Sequence, residues 1–165
     1  MLNASCHPLW LRYREINLFR RESKVTDDEK RDKFIRRLKE APHGAKGFFE
    51  TIATHFERRN DTSIKYTSTN GGDMRLWAHW TSARGADKKQ IFATMAWQPT
   101  NKAVFARCQL TPDELSLLGL EVGEKPKSET EPQNSDIRLD EGYWRFCVED
   151  FIRILEAARI KLVSV

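Results

Sequence analysis

Four β-rich runs between residues 64 and 110, punctuated by turn signals, limit the fold of this chain more than any other feature. Residues 64–69 lead into Asn70-Gly71-Gly72, where Asn and Gly reach positive φ at little steric cost and so favour a tight hairpin. In residues 74–81, Met74, Leu76, Ala78 and Trp80 alternate with Arg75, Trp77 and His79, the period of a strand with one buried face. A polar loop, residues 82–89, precedes a third run over 91–97. Gln98-Pro99-Thr100-Asn101 then turns the chain into residues 102–110. The spacing predicts two successive hairpins and, from them, a four-stranded antiparallel sheet. Residues 142–148, rich in β-formers, offer a fifth strand.

The flanking sequence has helical period. Residues 8–21 place Leu9, Trp10, Tyr13 and Ile16 on one side. Thr26-Asp27-Asp28-Glu29 is a capping box, in which hydroxyl and carboxylate each satisfy a free backbone amide. It predicts a helix over 27–40 with Phe34, Ile35, Leu38 and Ala41 inward. Ala41-Pro42 ends it, because proline disfavours helical geometry in the residue before it. Residues 45–58 carry the cleanest apolar stripe: Ala45, Phe48, Phe49, Ile52, Ala53 and Phe56. Thr111-Pro112-Asp113-Glu114 is a second capping box, opening a short helix that Gly119 stops. A last helix, 149–160, turns Phe151, Ile152, Leu155 and Ala158 inward. The expected class is α+β: one domain, residues 1–165, with a mainly antiparallel sheet of four or five strands and helices packed on it.

A chain of 165 residues suffices to bury roughly 70% of the surface its unfolded form exposes. No apolar run approaches the ~20 residues of a membrane span, and the N-terminus lacks a secretory apolar core, so no membrane partner is expected. The cysteines, Cys6, Cys108 and Cys147, form no C-x-x-C pair. That argues for a reducing, cytoplasmic setting and against a disulfide framework or a cysteine zinc site; no cofactor is expected.

Net charge is +4, but residues 112–141 carry −6 and the remainder +10. The basic body can attract phosphate by counterion release. Its Arg20-Arg21, Lys30-Arg31 and Arg36-Arg37 pairs lie among acids and read as solvated helix faces. Residues 121–135, rich in Glu, Lys, Pro, Ser and Gln, hold too little apolar surface to offset their ordering entropy and read as a mobile acidic loop. Tethered to a basic body, such a loop either competes with phosphate for it or serves only as a solubilising insertion.

The sharper candidate is the second face of the sheet. If Met74, Leu76 and Ala78 point inward, then Arg75, Trp77 and His79 point outward, beside Lys65 and Thr67 of the partner strand. Cations and an aromatic ring on an open sheet face suit phosphate contact and base stacking, so Lys65, Arg75, Trp77 and His79 form a candidate nucleic-acid-binding set. A helix over this face would instead make Trp77 a core residue.

Catalytic patterns are sparse. There is no phosphate-binding Gly-x-x-x-x-Gly-Lys loop, no Gly-x-Ser-x-Gly elbow and no His-x-x-x-His. A metal-dependent nuclease would have to draw on Asp73, Asp87-Lys88-Lys89 and Glu50, and a thiol mechanism on Cys108 with His79. The succession of Ile64-Lys65-Tyr66, Phe92–Pro99, Val104-Phe105, Trp144-Arg145-Phe146 and Glu149-Asp150-Phe151-Ile152 resembles small α+β domains of unknown function appended to restriction-associated proteins. The resemblance spans residues 45–160 and departs at the 121–135 insertion and the helices before Ala45. It implies a fold and a link to DNA defence, and no catalytic residues. The expectation is a non-enzymatic module for nucleic acid or a nucleic-acid-bound protein. The alternatives are a metal-dependent nuclease and an inhibitor or adaptor in bacterial or phage defence.

Overall fold

Thr26 caps the first described helix as its sequence predicts. Its Oγ1 accepts from the Glu29 N–H at 3.2 Å, and Glu29 Oε2 accepts from the Thr26 N–H at 2.7 Å. In the computed structural model, which describes residues 25–68, 72–120 and 135–164, this helix is α1 (Asp27–Lys39). Next come α2 (His43–Glu57), β1 (Thr62–Tyr66), β2 (Met74–Thr81), β3 (Asp87–Gln98) and β4 (Ala103–Cys108). The Thr111–Glu114 box starts α3 (Pro112–Leu117), and Gly119 ends it in the left-handed region at φ 84°. The last elements are β5 (Ser135–Leu139), α4 (Glu141–Phe146) and α5 (Val148–Val163).

The strands form one sheet in the order β1-β2-β3-β4-β5, every neighbouring pair antiparallel. The register stacks apolar rows on the inward face. Met74, Met95, Ala106 and Ile137 make one row; Leu76, Ala93, Cys108 and Ser135 make the next; Trp97, Val104 and Leu139 make a third. All of these are buried. A bulge between Leu76 and Trp77 accompanies the burial of both Phe92 and Ala93, successive residues that a regular strand would send to opposite faces. α2 and α5 cover this face, with Phe56 5.3 Å from Phe92 and Phe48 5.5 Å from Phe151 between ring centroids.

Several expectations need correction. Residues 142–148 are not a strand. Asp140 Oδ1 accepts from the Tyr143 N–H at 3.1 Å and starts α4, which carries the buried Trp144 to 6.1 Å from Trp97, edge to face. Cap and packing override β-propensity here. The fifth strand is Ser135–Leu139 instead. Ser135, read as the end of the loop, is buried in it and donates its hydroxyl to the Leu110 carbonyl at 2.7 Å. β3 begins at Asp87, so the polar loop is shorter than expected. Ser82 N–H reaches the Ala86 carbonyl at 2.8 Å around Gly85, whose φ is 77°. Ile35 is 37% exposed, because α1 packs at the margin over β1 and α2, where only Phe34 and Leu38 reach the core. The predicted helix over 8–21, most of the Asn70-Gly71-Gly72 turn and the segment 121–134 lie outside the described residues.

Candidate functional site

Alternation along the strands sends a second set of side chains outward, and among the described residues none of these is fully buried. One row crosses all five strands: Lys65, Arg75, Thr94, Arg107 and Asp136. The adjacent row holds Thr67, Asp73, Ala96, Phe105 and Arg138, continuing the Met74–Met95 register by one residue. On the other side lie Ser63, Trp77 and Ile91, and beyond them His79 with Lys89.

The four residues picked out from the sequence meet on this face. Lys65 lies opposite Arg75, and its Nζ sits 5.8 Å from the centroid of the Trp77 ring, a cation against an aromatic surface. Trp77 is half-buried, and its Nε1–H is enclosed with no acceptor among the described residues. The His79 Nε2 lies 2.7 Å from Ser63 Oγ, while its backbone N–H donates to the Asp61 carbonyl at 2.8 Å. Neither Lys65 nor Arg75 lies within ion-pair distance of a described carboxylate.

Sequence reasoning missed Ala96, Phe105 and Arg107 on the same surface, and named Asp73 only as a carboxylate for a nuclease. The alternation of inward Val104, Ala106 and Cys108 with Phe105 and Arg107 was the available signal. Arg107 is a cation already held: Nε and Nη2 donate to the two Asp136 oxygens at 2.6 and 3.2 Å, a bidentate pair.

A second charged cluster lies where α2, β1 and α5 converge. Arg59 binds both Asp61 oxygens at 2.9 and 3.1 Å, and Arg159 Nη1 reaches Asp61 Oδ2 at 2.7 Å. Glu156 takes Arg59 and His55 on Oε1, at 3.1 and 2.8 Å, and Arg159 on Oε2 at 2.7 Å. Hydrogen bonding by Arg59 and the charge of Arg159 hold the Asp61 carboxyl below its ordinary range, against partial burial. Burial alone would raise Glu156, but hydrogen bonds from His55 and Arg159 outweigh it and the net shift is downward. Every carboxylate oxygen is taken, so the cluster clamps helices rather than offering an acid or base.

The catalytic sets fare poorly by geometry. Cys108 faces the core and His79 the opposite side of the sheet; burial pushes the Cys108 thiol up to about 12, far from a thiolate. Asp73 lies on the outward face, Asp87 at the far end of β3 and Glu50 on α2, beside Lys46 at 3.5 Å. Among the described residues no three His, Cys, Asp or Glu side chains are grouped to hold a metal ion. No described helix is long and apolar enough to cross a membrane. Comparison with family models, with curated proteins and with solved structures finds no match, and the resemblance to restriction-associated domains gains no support from it.

Proposed function

We propose that this chain is a non-enzymatic nucleic-acid-binding module working through the outward face of its sheet, with Lys65, Arg75, Trp77 and His79 at the centre. The observation that carries the reading is two cations in no ion pair with a described carboxylate, beside an aromatic ring, on a face where no described outward side chain is fully buried. Cations of this kind bind phosphate and position the strand, while rings stack bases without regard to sequence. Phe105 adds a second ring, diagonal to Trp77, with Arg75 and Thr94 on the row between them. The +10 carried outside residues 112–141 supports phosphate as the attracted group. A reducing, cytoplasmic setting belongs to the same proposal and fits the free thiols of Cys108 and Cys147.

Fluorescence anisotropy with a labelled oligonucleotide tests the reading. Affinity should fall steeply between about 50 and 200 mM salt, and Lys65→Ala or Arg75→Ala should each weaken binding and flatten the log–log salt slope by about one. Trp77→Ala should cost about 1–3 kcal/mol of binding through lost stacking. Binding indifferent to salt would redirect the search to a protein partner, and magnesium-dependent cleavage would replace the reading with a nuclease.

A further inference from the structure

The row Asp73–Ala96–Phe105 has a longer side chain on each flank, a carboxylate and a ring, and only a methyl group in the middle. The result is a depression of about 270 Å³, lined also by Thr94, Gln98, Arg107 and Arg37. Its flanking strands are two spacings apart, about 10 Å, which admits a single base and its hydrogen bonds but not a base pair. Phe105 supplies an apolar flank and Asp73 a polar one.

Asp73 is the telling residue. A carboxylate repels phosphate, yet this one stands next to Arg75 and diagonal to Arg107 on a basic face. Its carboxylate oxygens have no hydrogen-bond or ion-pair partner among the described residues. The bonds between Thr67 and Asp73 leave the carboxylate out: Asp73 N–H donates to Thr67 Oγ1 at 3.1 Å and Thr67 N–H to the Asp73 carbonyl at 3.0 Å. A carboxylate on a nucleic-acid surface selects bases that present donors. Only guanine presents two adjacent donors, N1–H and the 2-amino group, that both carboxylate oxygens can accept at once. Those atoms lie on the pairing edge, so the guanine must be unpaired.

We infer that the depression over Ala96 is a subsite for one unpaired guanine, held by Asp73 on its pairing edge and by Phe105 on its apolar flank. Thr94 and Gln98 supply further hydrogen-bonding groups; Gln98 Oε1 already accepts from Asn101 at 3.0 Å, which leaves its amide N–H groups for O6 or N7. This inference rests on the nucleic-acid reading above and adds base selectivity to it.

The test uses a labelled eleven-nucleotide oligodeoxythymidylate whose central base is thymine, guanine, hypoxanthine, adenine or cytosine, titrated with the full chain. A central guanine should bind about tenfold tighter than thymine, the discrimination expected of a bidentate pair. Hypoxanthine, which lacks the 2-amino group, should lose most of that gain. Asp73→Asn should abolish the preference, bringing the central-guanine strand to within about twofold of the all-thymine strand, with the fold checked by circular dichroism. Equal affinity for all five strands, or a guanine preference that survives Asp73→Asn, overturns the subsite and leaves the nucleic-acid reading standing. No binding to any strand overturns both.

Discussion

Phe151→Ala is expected to destabilise the native state by about 3–5 kcal/mol, a large part of the total stability of a domain of this size. Phe151 lies in the first turn of α5 and is fully buried. Its ring stands 5.5 Å from Phe48 on α2 and 6.2 Å from Tyr143 on α4, so one side chain ties three helices over the sheet. Truncation leaves a cavity among rigid rings that cannot collapse around it, and the cavity term adds to the lost transfer energy. Urea denaturation followed by circular dichroism should show a lower midpoint with an unchanged m-value. A loss below about 1 kcal/mol would mean that α5 is not docked on α2 as described.

Glu156→Ala should cost somewhat less, about 2–3 kcal/mol, because it takes one of two acids from a buried guanidinium and leaves its Nε–H without that acceptor. Arg159 is 8% exposed and divides its donors between Asp61 and Glu156; without Glu156 it keeps one acid, and His55 loses its hydrogen bond to the carboxylate. The same cluster sets an acid limit. Asp61 and Glu156 both titrate below their ordinary values of 3.8 and 4.5 in the folded protein. Their contribution is therefore fully present above those values, declines as pH falls beneath them, and is gone only below the lowered folded pKa values. Thermal melts from pH 6 downwards should show the wild type losing stability through this acid range more steeply than Glu156→Ala. Parallel curves for the two proteins would sink the assignment of the clamp as the acid-sensitive element.

What the sequence made legible was whatever is specified locally. Both capping boxes needed only a hydroxyl and a carboxylate three residues apart, and Thr26–Glu29 and Thr111–Glu114 form as read. The alternation in residues 74–81 correctly assigned inward and outward sides, which is why Lys65, Arg75, Trp77 and His79 do share a face. The misreadings fall where distant partners decide. Tyr143 and Trp144 favour extended backbone, but Trp144 is claimed by Trp97, far earlier in the chain. Ser135–Leu139 has only two large apolar residues, Ile137 and Leu139, and becomes a strand because β4 offers it an edge. The depression at Asp73, Ala96 and Phe105 comes from three strands in register, and no single run of sequence contains it.

The strand order of the sheet is the order of the chain, and this bears on how the fold is reached. Each of β2, β3 and β4 finds its neighbour by closing a short turn, so the entropy lost before the first contacts form is small. Met74, Leu76, Phe92, Met95, Val104 and Ala106 can gather from one contiguous stretch, without waiting for either terminus. β5 is different: Arg107 meets Asp136 across 29 residues, and α5 follows it. The outward surface between β1 and β4 is thus laid out by local search, while the strand that completes the sheet and the helix that seals its core arrive over a longer path.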